Sequence, residues 1–166
     1  MKKILIINTG GTFNKVYNPI NGILEVDQTS SSIENIASKW LCKFEIINTI
    51  GKDSLEITND DRLKLLEIIR KSESTHIIIV HGTDTMDITS KYLVDSKLEK
   101  CIVLTGAMVP YSINNVEATA NLASAYGYIQ ALEKNGIYIA MNGVLSTHKK
   151  VNKDREKGCF TYDYLQ

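Results

Sequence analysis

The amino-acid sequence predicts an α/β fold: a single domain built as a three-layer sandwich around a mostly parallel, Rossmann-like sheet. The first observation is a set of short apolar runs without polar alternation, at residues 4–7, 76–80, 102–104 and 137–141. Such runs are typical of strands buried on both faces, as in parallel sheets. The second observation is that segments with helical periodicity separate these runs. Alternating strands and helices produce right-handed crossovers that cover both faces of a sheet.

The elements are predicted in the order β-loop-α-β-α-β-α-β-α-β. After the first strand, residues 13–26 contain Pro19 and Gly22, which indicate turns, so this segment is expected to be a loop or loose hairpin. It is either a lid over the strand end or an exposed connection. The second strand is predicted at residues 44–50, and Ser32 is the expected N-cap of the helix before it. The apolar stripe of that helix is predicted to be Ile33, Ile36 and Trp40.

Three further helices are predicted from capping residues and apolar spacing. Thr58 and Asp61 have the spacing of a capping box. The helix that they begin is expected to carry Leu63, Leu66 and Ile69 on its apolar side. The next helix is short and has Ile88 and Tyr92 four residues apart. The last begins at Asn115 and is expected to end at Gly136, with apolar positions at Val116, Ala120, Ala123, Tyr126 and Ile129.

Length and composition bound the class of protein. The chain has 166 residues, enough for one domain with a hydrophobic core, and we assign residues 1–166 to it. Lysine plus arginine and aspartate plus glutamate each number 19, so no basic surface for nucleic acid is expected. No apolar stretch is long enough to cross a membrane, and the run at 4–7 is too short for a signal peptide.

The cysteines and histidines argue against metal binding and disulfides. The three cysteines are far apart and form no CxxC pair, which favours a reducing compartment, and we expect the cytoplasm. The histidines lack the spacing of metal ligands, so no metal site is expected. The residues concerned are Cys42, Cys101, Cys159, His76, His81 and His148.

Small polar residues follow the apolar runs and predict one site. In open α/β sheets, ligands bind outside the carboxyl ends of the strands. After the first run come two glycines and Thr12, where the backbone can turn tightly and approach a ligand. After the run at 76–80 come Thr83 and Asp84, a hydroxyl beside a carboxylate that can hold an amine and deliver a proton.

Simpler interpretations of these residues stay open. Thr83 and Asp84 are also ordinary caps for a helix starting near Asp87, and His81 has no partner nucleophile and is expected to be structural. The glycine pair at 10–11 is also compatible with a phosphate cradle. The sequence lacks both GxGxxG and GxxxxGK[ST], however, which disfavours a nucleotide site.

Together the motifs resemble the N-terminal domain of the bacterial-type L-asparaginases. Residues 9–12 (TGGT) and 81–86 (HGTDTM) match the two signatures of that family. Residues 104–108 (LTGAM) with Pro110 resemble its third strand-end motif. The Asp53-Ser54 pair followed by Ile57 resembles its substrate loop, and residues 151–153 (VNK) resemble the segment carrying its lysine. The matches run in order from residue 4 to about residue 160.

The resemblance implies hydrolysis of L-asparagine to L-aspartate and ammonia without metal or cofactor. It places the nucleophile at Thr12, an activating loop tyrosine at Tyr17, and the second catalytic group at Thr83, Asp84 and Lys153. Ser54 and Asp84 are implied to contact the substrate's α-carboxylate and α-amino groups. The implied substrate-binding positions are Gly11, Asp53, Ser54, Gly82 and Ala107. A partly buried Lys153 beside Asp84 is expected to tune proton transfer, and which group is the general base stays open.

The chain departs from the family pattern in several places. Typical members carry a second domain, whereas this chain ends at Gln166 and resembles the short-chain asparaginases. Val109 stands where arginine is usual, and residues 114–117 replace an acidic-glycine pattern and are expected to serve packing. We expect a homo-oligomer, most simply a dimer, with no nucleic-acid or membrane partner. The alternatives are an amidase for glutamine or a larger amide, and a non-catalytic asparagine-binding module.

Overall fold

A computed structural model describes residues 2–40 and 43–163. The strands are β1 (Ile4–Gly10), β2 (Lys15–Asn18), β3 (Ile23–Val26), β4 (Glu45–Lys52), β5 (His76–Val80), β6 (Cys101–Thr105), β7 (Gly136–Met141), β8 (Val144–Thr147), β9 (Val151–Asp154) and β10 (Cys159–Tyr162). The helices are α1 (Ser31–Lys39), α2 (Asn59–Lys71), α3 (Met86–Asp95) and α4 (Asn115–Ala131), with 3₁₀ turns at Thr12–Asn14 and Ser54–Glu56.

The main sheet has six strands in the order β4-β1-β5-β6-β7-β8, all parallel except β8, which runs antiparallel to β7. Two separate hairpins, β2–β3 and β9–β10, lie outside it. The predicted mostly parallel α/β fold is therefore confirmed. The chain reverses direction in the sheet at β8 because Asn142 (φ 50) and Gly143 (φ 78) adopt left-handed conformations that make a tight turn after β7.

Helices cover both faces of the sheet and complete three layers. Ile4 and Ile6 of β1 pack into one core cluster with apolar residues of α1 and α4. Leu5 and Ile7 pack into a second cluster with residues of α2 and α3. Because successive strand residues point to opposite faces, an uninterrupted apolar run fills both clusters at once.

The capping box of α2 and the predicted start of α4 at Asn115 are confirmed, whereas the predicted N-cap of α1 is wrong by two residues. The Thr58 hydroxyl accepts from the Asp61 N–H, and the Asp61 carboxylate accepts from the Thr58 N–H. The N-cap of α1 is Ser30, and Ser32 lies buried within the first turn. The N-cap of α4 is Asn114, whose side chain accepts from the Val116 N–H.

The predicted apolar positions of the helices are partly right. Ile33 and Ile36 of α1, Leu66 and Ile69 of α2 and Ile129 of α4 are buried as predicted. Leu63 of α2, Ile88 of α3 and Val116 of α4 are exposed. The buried positions of α2, α3 and α4 are Arg62, Leu65, Leu66, Ile69, Met86, Thr89, Ser90, Leu93, Ala118, Asn121, Leu122, Ala125 and Ile129. Because several buried positions of α3 and α4 are small or polar, apolar spacing alone misses them.

Residues 13–26 form a 3₁₀ turn followed by the β2–β3 hairpin, so the hairpin alternative predicted for this segment is confirmed. The residues after Gly143, for which no strands were predicted, form β8, β9 and β10. Gly136 opens β7 and does not end α4, which stops at Ala131. Within the described ranges, no helix combines the length and the apolar character needed to cross a bilayer.

Candidate active site

Glycines bring the carboxyl ends of the strands into backbone contact. A Cβ added to Gly11 would lie 2.5 Å from the Cα and N atoms of Gly82. A Cβ added to Gly82 would lie 2.6 Å from the Cβ of Ser54. Gly11 also has a φ of 74°, a conformation that side chains rarely adopt. Because only glycine fits at both positions, the backbone segments that carry Thr12, Thr83 and Ser54 can lie next to one another.

A network of buried asparagines holds the turn that carries Thr12. Asn14 Nδ2 donates to the Gly10 carbonyl and to Asn8 Oδ1, both at 2.8 Å. Asn8 Nδ2 in turn donates to Asn48 Oδ1 at 3.0 Å, which links β1 to the neighbouring β4. Buried amide side chains whose donors and acceptors are hydrogen-bonded make a turn more rigid. No family motif pointed to Asn14, although three asparagines close to strand ends were a visible signal.

Ser54 and Asp53 occupy the turn after β4. Ser54 is buried, and its hydroxyl accepts from the Asp84 N–H at 3.2 Å. Asp53 caps this turn by accepting from the Leu55 N–H and forms an ion pair with Lys15 Nζ at 2.6 Å. Partial burial opposes ionisation of Asp53, but the hydrogen bonds from Lys15 and Leu55 outweigh it and lower its pKa. The pair connects the β2–β3 hairpin to this turn.

Thr83, Asp84 and Lys153 form one hydrogen-bonded group. Lys153 Nζ donates to Thr83 Oγ1 and to Asp84 Oδ1, both at 2.8 Å. The lysine side chain is 13% exposed, so its charge is only partly solvated. The hydrogen bond from Lys153 is the largest cause of the lowered pKa of Asp84, and Lys153 and Arg155 add favourable charge against partial burial. Asp84 is therefore ionised at neutral pH.

The β9–β10 hairpin delivers Lys153 because its apolar residues are anchored in the core. Val151 and Phe160 are buried in the cluster that contains Ile139. The Phe160 N–H also donates to Asn142 Oδ1 at 3.1 Å. Because Val151 lies in the core, Lys153 two residues later is carried to the strand ends.

Glu117 organises the loop after β6. Its carboxylate accepts from the N–H groups of Met108 and Val109 at about the ordinary distance, the latter at 2.9 Å. Ala107 at the start of this loop is fully buried, and Asn121 Nδ2 donates to the Gly106 carbonyl at 2.9 Å. The packing role expected of residues 114–117 is wrong, because residues 114–116 are exposed, Asn114 caps α4 and Glu117 anchors the loop by hydrogen bonds. The roles of Glu117 and Asn121 as hydrogen-bonding anchors went unpredicted.

His81 is a buried structural residue. Its Nδ1 lies 2.7 Å from the Gly82 carbonyl and its Nε2 lies 2.9 Å from Thr89 Oγ1, which also accepts from Arg62 Nε at 3.1 Å. The carbonyl requires a proton on Nδ1, so the Thr89 hydroxyl donates to Nε2 and the ring is neutral. Burial lowers the pKa of His81 to about 4, consistent with this state.

Tyr17 lies apart from this cluster. It is on β2, is 61% exposed, and its hydroxyl lies beside Gly22 near the tip of the hairpin. The described contacts bring together the Thr12 turn, Ser54, Thr83, Asp84 and Lys153, but they do not join Tyr17 to them. Within residues 2–40 and 43–163, no group of histidine, cysteine, aspartate or glutamate side chains is arranged to hold a metal ion.

Fold and site together define a Rossmann-like α/β domain with a threonine–lysine–aspartate group at the carboxyl edge of its sheet. Residues 3–163 match the family model described as asparaginase, N-terminal. The chain therefore belongs to the asparaginase family, as its motifs indicated.

Individual relatives agree with this assignment. The chain is 31% identical to the "Probable L-asparaginase periplasmic" of Haemophilus influenzae, over 92% of this chain and 46% of that protein. It is 25% identical to the "Glutaminase-asparaginase" of Acinetobacter glutaminasificans, over 90% of this chain and 49% of that protein. The solved thermostable L-asparaginase of Thermococcus kodakarensis superposes with a TM-score of 0.85 at 26% identity, covering 100% of this chain and 52% of that one. The chain thus spans about half the length of the relatives that it matches.

Proposed function

We propose that this chain carries the active site of an L-asparaginase, which hydrolyses L-asparagine to L-aspartate and ammonia. The observation that supports the proposal best is the meeting of the Thr12 turn with the Thr83–Lys153–Asp84 group at the ends of β1 and β5. The family model and the relatives named as asparaginases support the same substrate.

The chemistry follows from these positions. Thr12 Oγ1 attacks the side-chain amide carbon, and the negative charge that develops on the carbonyl oxygen is stabilised by backbone N–H groups near Gly11 and Thr83. Collapse of the tetrahedral intermediate breaks the C–N bond, and the amide nitrogen leaves as ammonia after taking up the proton that Thr12 gave up. Water then attacks the ester on Thr12, which frees aspartate and restores the hydroxyl. Splitting the reaction in this way replaces one difficult step by two easier ones.

Lys153 determines what Thr83 can do. The ammonium donates to Thr83 Oγ1, so the hydroxyl hydrogen of Thr83 is free to point towards the substrate. Thr83 therefore donates or relays a proton beside the reacting amide. Ser54 and Asp84 are proposed to contact the α-carboxylate and α-ammonium groups, because they follow β4 and β5 at the same edge of the sheet and the Asp84 N–H donates to the Ser54 hydroxyl.

The decisive experiment measures ammonia release by the purified protein and by Thr12→Ala. We expect the variant to lose several orders of magnitude in kcat, because a positioned nucleophile contributes about that much. Thr12→Ser retains a hydroxyl and is the matched control, for which measurable turnover is expected. Wild-type-like turnover by folded Thr12→Ala would exclude Thr12 as the nucleophile.

Glutamine is the second candidate substrate, because the relative from Acinetobacter glutaminasificans is named a glutaminase-asparaginase. Kinetics with asparagine, glutamine and larger amides decide between these substrates. A non-catalytic asparagine-binding module would instead bind asparagine in a calorimetric titration without releasing ammonia.

We further propose that the protein works in the cytoplasm. The cysteines in the described part of the chain, Cys101 and Cys159, are free thiols. Free thiols suit a reducing compartment. Because the Haemophilus influenzae relative is named periplasmic, cell fractionation is the appropriate test.

A further inference from the structure

Arg155 follows β9 and touches the site, although no motif indicated it. Its Nη1 donates to Asp84 Oδ1 at 3.0 Å, and its Nη2 donates to the Asp84 main-chain carbonyl at 2.8 Å. Lys153 Nζ donates to the same Oδ1 at 2.8 Å. Two cations therefore share one carboxylate oxygen. Among the described residues, no donor contacts Oδ2, which is left for a ligand.

The two cations occupy different environments. The Lys153 side chain is 13% exposed, and it also binds Thr83, so it belongs to the reacting group. The Arg155 side chain is 62% exposed and contacts only Asp84 among the groups proposed to act on substrate. Asp87 lines the same cleft, but no ion pair within the described chain joins it to Arg155. Arg155 therefore adds positive charge at the rim without taking part in the chemistry.

This charge affects the group that Asp84 is proposed to bind. A carboxylate attracts the α-ammonium group of an amino acid, and a nearby cation repels it. With Lys153 and Arg155 both in contact, the charges on the three side chains sum to +1, so the attraction for an α-ammonium group is largely offset. An amide without an α-ammonium group does not experience this repulsion.

We propose that Arg155 is a specificity-determining residue that weakens selection for the α-ammonium group and so admits ω-amides of dicarboxylic acids that lack it. The inference rests on the proposed function, because it assumes that Asp84 receives the α-ammonium group. Succinic acid monoamide is the matched probe: it is asparagine without its α-amino group. Arg155 acts through its charge, so lysine at the same position serves equally well.

The test compares kcat/KM for L-asparagine and succinic acid monoamide in the wild type, Arg155→Gln and Arg155→Lys. The ratio of kcat/KM for L-asparagine to kcat/KM for succinic acid monoamide rises roughly threefold to tenfold in Arg155→Gln, through a lower KM for asparagine. This is the size of effect expected for one partly solvated charge close to the ligand. The increase shrinks at high salt because the rim is exposed. Arg155→Lys keeps the wild-type ratio. Lys157→Gln, an exposed cation of the same hairpin paired with Asp154, leaves the ratio unchanged.

Binding measurements separate this inference from the proposed function. L-aspartate and succinate differ by the same amino group, so the ratio of their Kd values in calorimetry tests Arg155 without turnover. If the wild type releases no ammonia, the proposed hydrolysis is overturned. If Arg155→Gln nevertheless binds L-aspartate over succinate more strongly than the wild type does, the role of Arg155 is supported. An unchanged ratio, equal losses for both ligands, or no binding of either ligand would overturn the inference.

Discussion

At the scale of single residues, the site depends on one ammonium group that serves two acceptors. Lys153 Nζ lies 2.8 Å from both Thr83 Oγ1 and Asp84 Oδ1. Taking a lysine charge out of water is costly unless it is paired and hydrogen-bonded, and here both conditions are met. The lysine therefore keeps Asp84 ionised and orients the hydroxyl of Thr83.

Lys153→Met is expected to lower turnover strongly. The variant removes the largest contribution to the lowered pKa of Asp84, so that pKa rises and the acid limb of the pH–kcat/KM profile moves to higher pH. Steady-state kinetics over a pH series is the measurement. Lys149→Met is the control, since Lys149 is exposed. Equal and mild effects of both substitutions would show that Lys153 is only a surface charge.

His81 makes the stability of the protein depend on pH. Its pKa is about 4 in the folded chain, below the ordinary value of 6.5 that it recovers on unfolding. The unfolded chain therefore binds more protons between these values, so this contribution is complete above pH 6.5 and is lost as the pH falls towards 4. We expect a loss on the order of 3 kcal/mol, because each pKa unit is worth about 1.4 kcal/mol.

Denaturant unfolding at several pH values measures this loss. His81→Asn removes the titrating group, so the free energy of unfolding is expected to depend less steeply on pH between 6.5 and 4. The variant is expected to be less stable than the wild type at neutral pH. His76→Gln should change the slope less, because His76 is only partly buried. If the pH dependence of the free energy of unfolding is the same in His81→Asn as in the wild type, His81 is not its cause.

At the scale of elements, two hairpins surround the strand ends in different ways. The β9–β10 hairpin is anchored by the buried Val151 and Phe160. The β2–β3 hairpin is held mainly at its base, where Lys15 pairs with Asp53 and its carbonyl accepts from the Ser112 hydroxyl at 2.7 Å. Its far end is largely solvated, with Ile20 93% exposed. Such an element can move relative to the sheet with little loss of packing.

We expect the β2–β3 hairpin to close over the substrate and bring Tyr17 to Thr12. Tyr17→Phe should then lower kcat while leaving the melting temperature nearly unchanged, because the exposed hydroxyl contributes little to folding. Stopped-flow and steady-state ammonia assays measure kcat, and thermal unfolding measures the melting temperature. Tyr92→Phe on α3 is the control, because it lies away from the strand ends. An unaltered kcat in Tyr17→Phe would remove Tyr17 from the mechanism.

At the scale of the whole molecule, exposed apolar side chains favour self-association. Tyr17, Ile20, Ile23 and Leu24 are all exposed on one hairpin. Several exposed apolar side chains on one element can mark an interaction surface, and identical chains can cover them by two-fold symmetry. We therefore predict a homodimer in solution.

Light scattering coupled to size-exclusion chromatography measures the mass. Ile20→Ser combined with Ile23→Ser should shift the population towards monomer at low concentration. Leu63→Ser, which removes an exposed apolar side chain from α2, should leave the mass unchanged. A monomer for the wild-type chain over the accessible concentration range would contradict the prediction.

Local signals alone were sufficient for the five parallel strands of the main sheet, the α2 cap and the assignment to a family. An apolar run such as residues 4–7 has few alternatives to a buried strand, and glycines at 10–11 and 82 indicate close backbone approach before any partner is known. The helix faces were harder. Leu63, Ile88 and Val116 have helical spacing yet are exposed, because Ala118, Ser90 and other small residues fit closest to the sheet.

The strand–helix alternation, the positions of Thr12, Thr83 and Asp84 at strand ends, and the motif that contains Lys153 all follow from local sequence. The contacts that these groups make follow only from the folded structure. Such contacts join residues up to 71 positions apart. They include the asparagine network behind Thr12, the packing that anchors β9–β10, and the hydrogen bonds that Lys153 and Arg155 both donate to Asp84. Contacts of that kind depend on the relative placement of packed elements, which no local pattern encodes, because the side chains meet only after the core has brought their strands together.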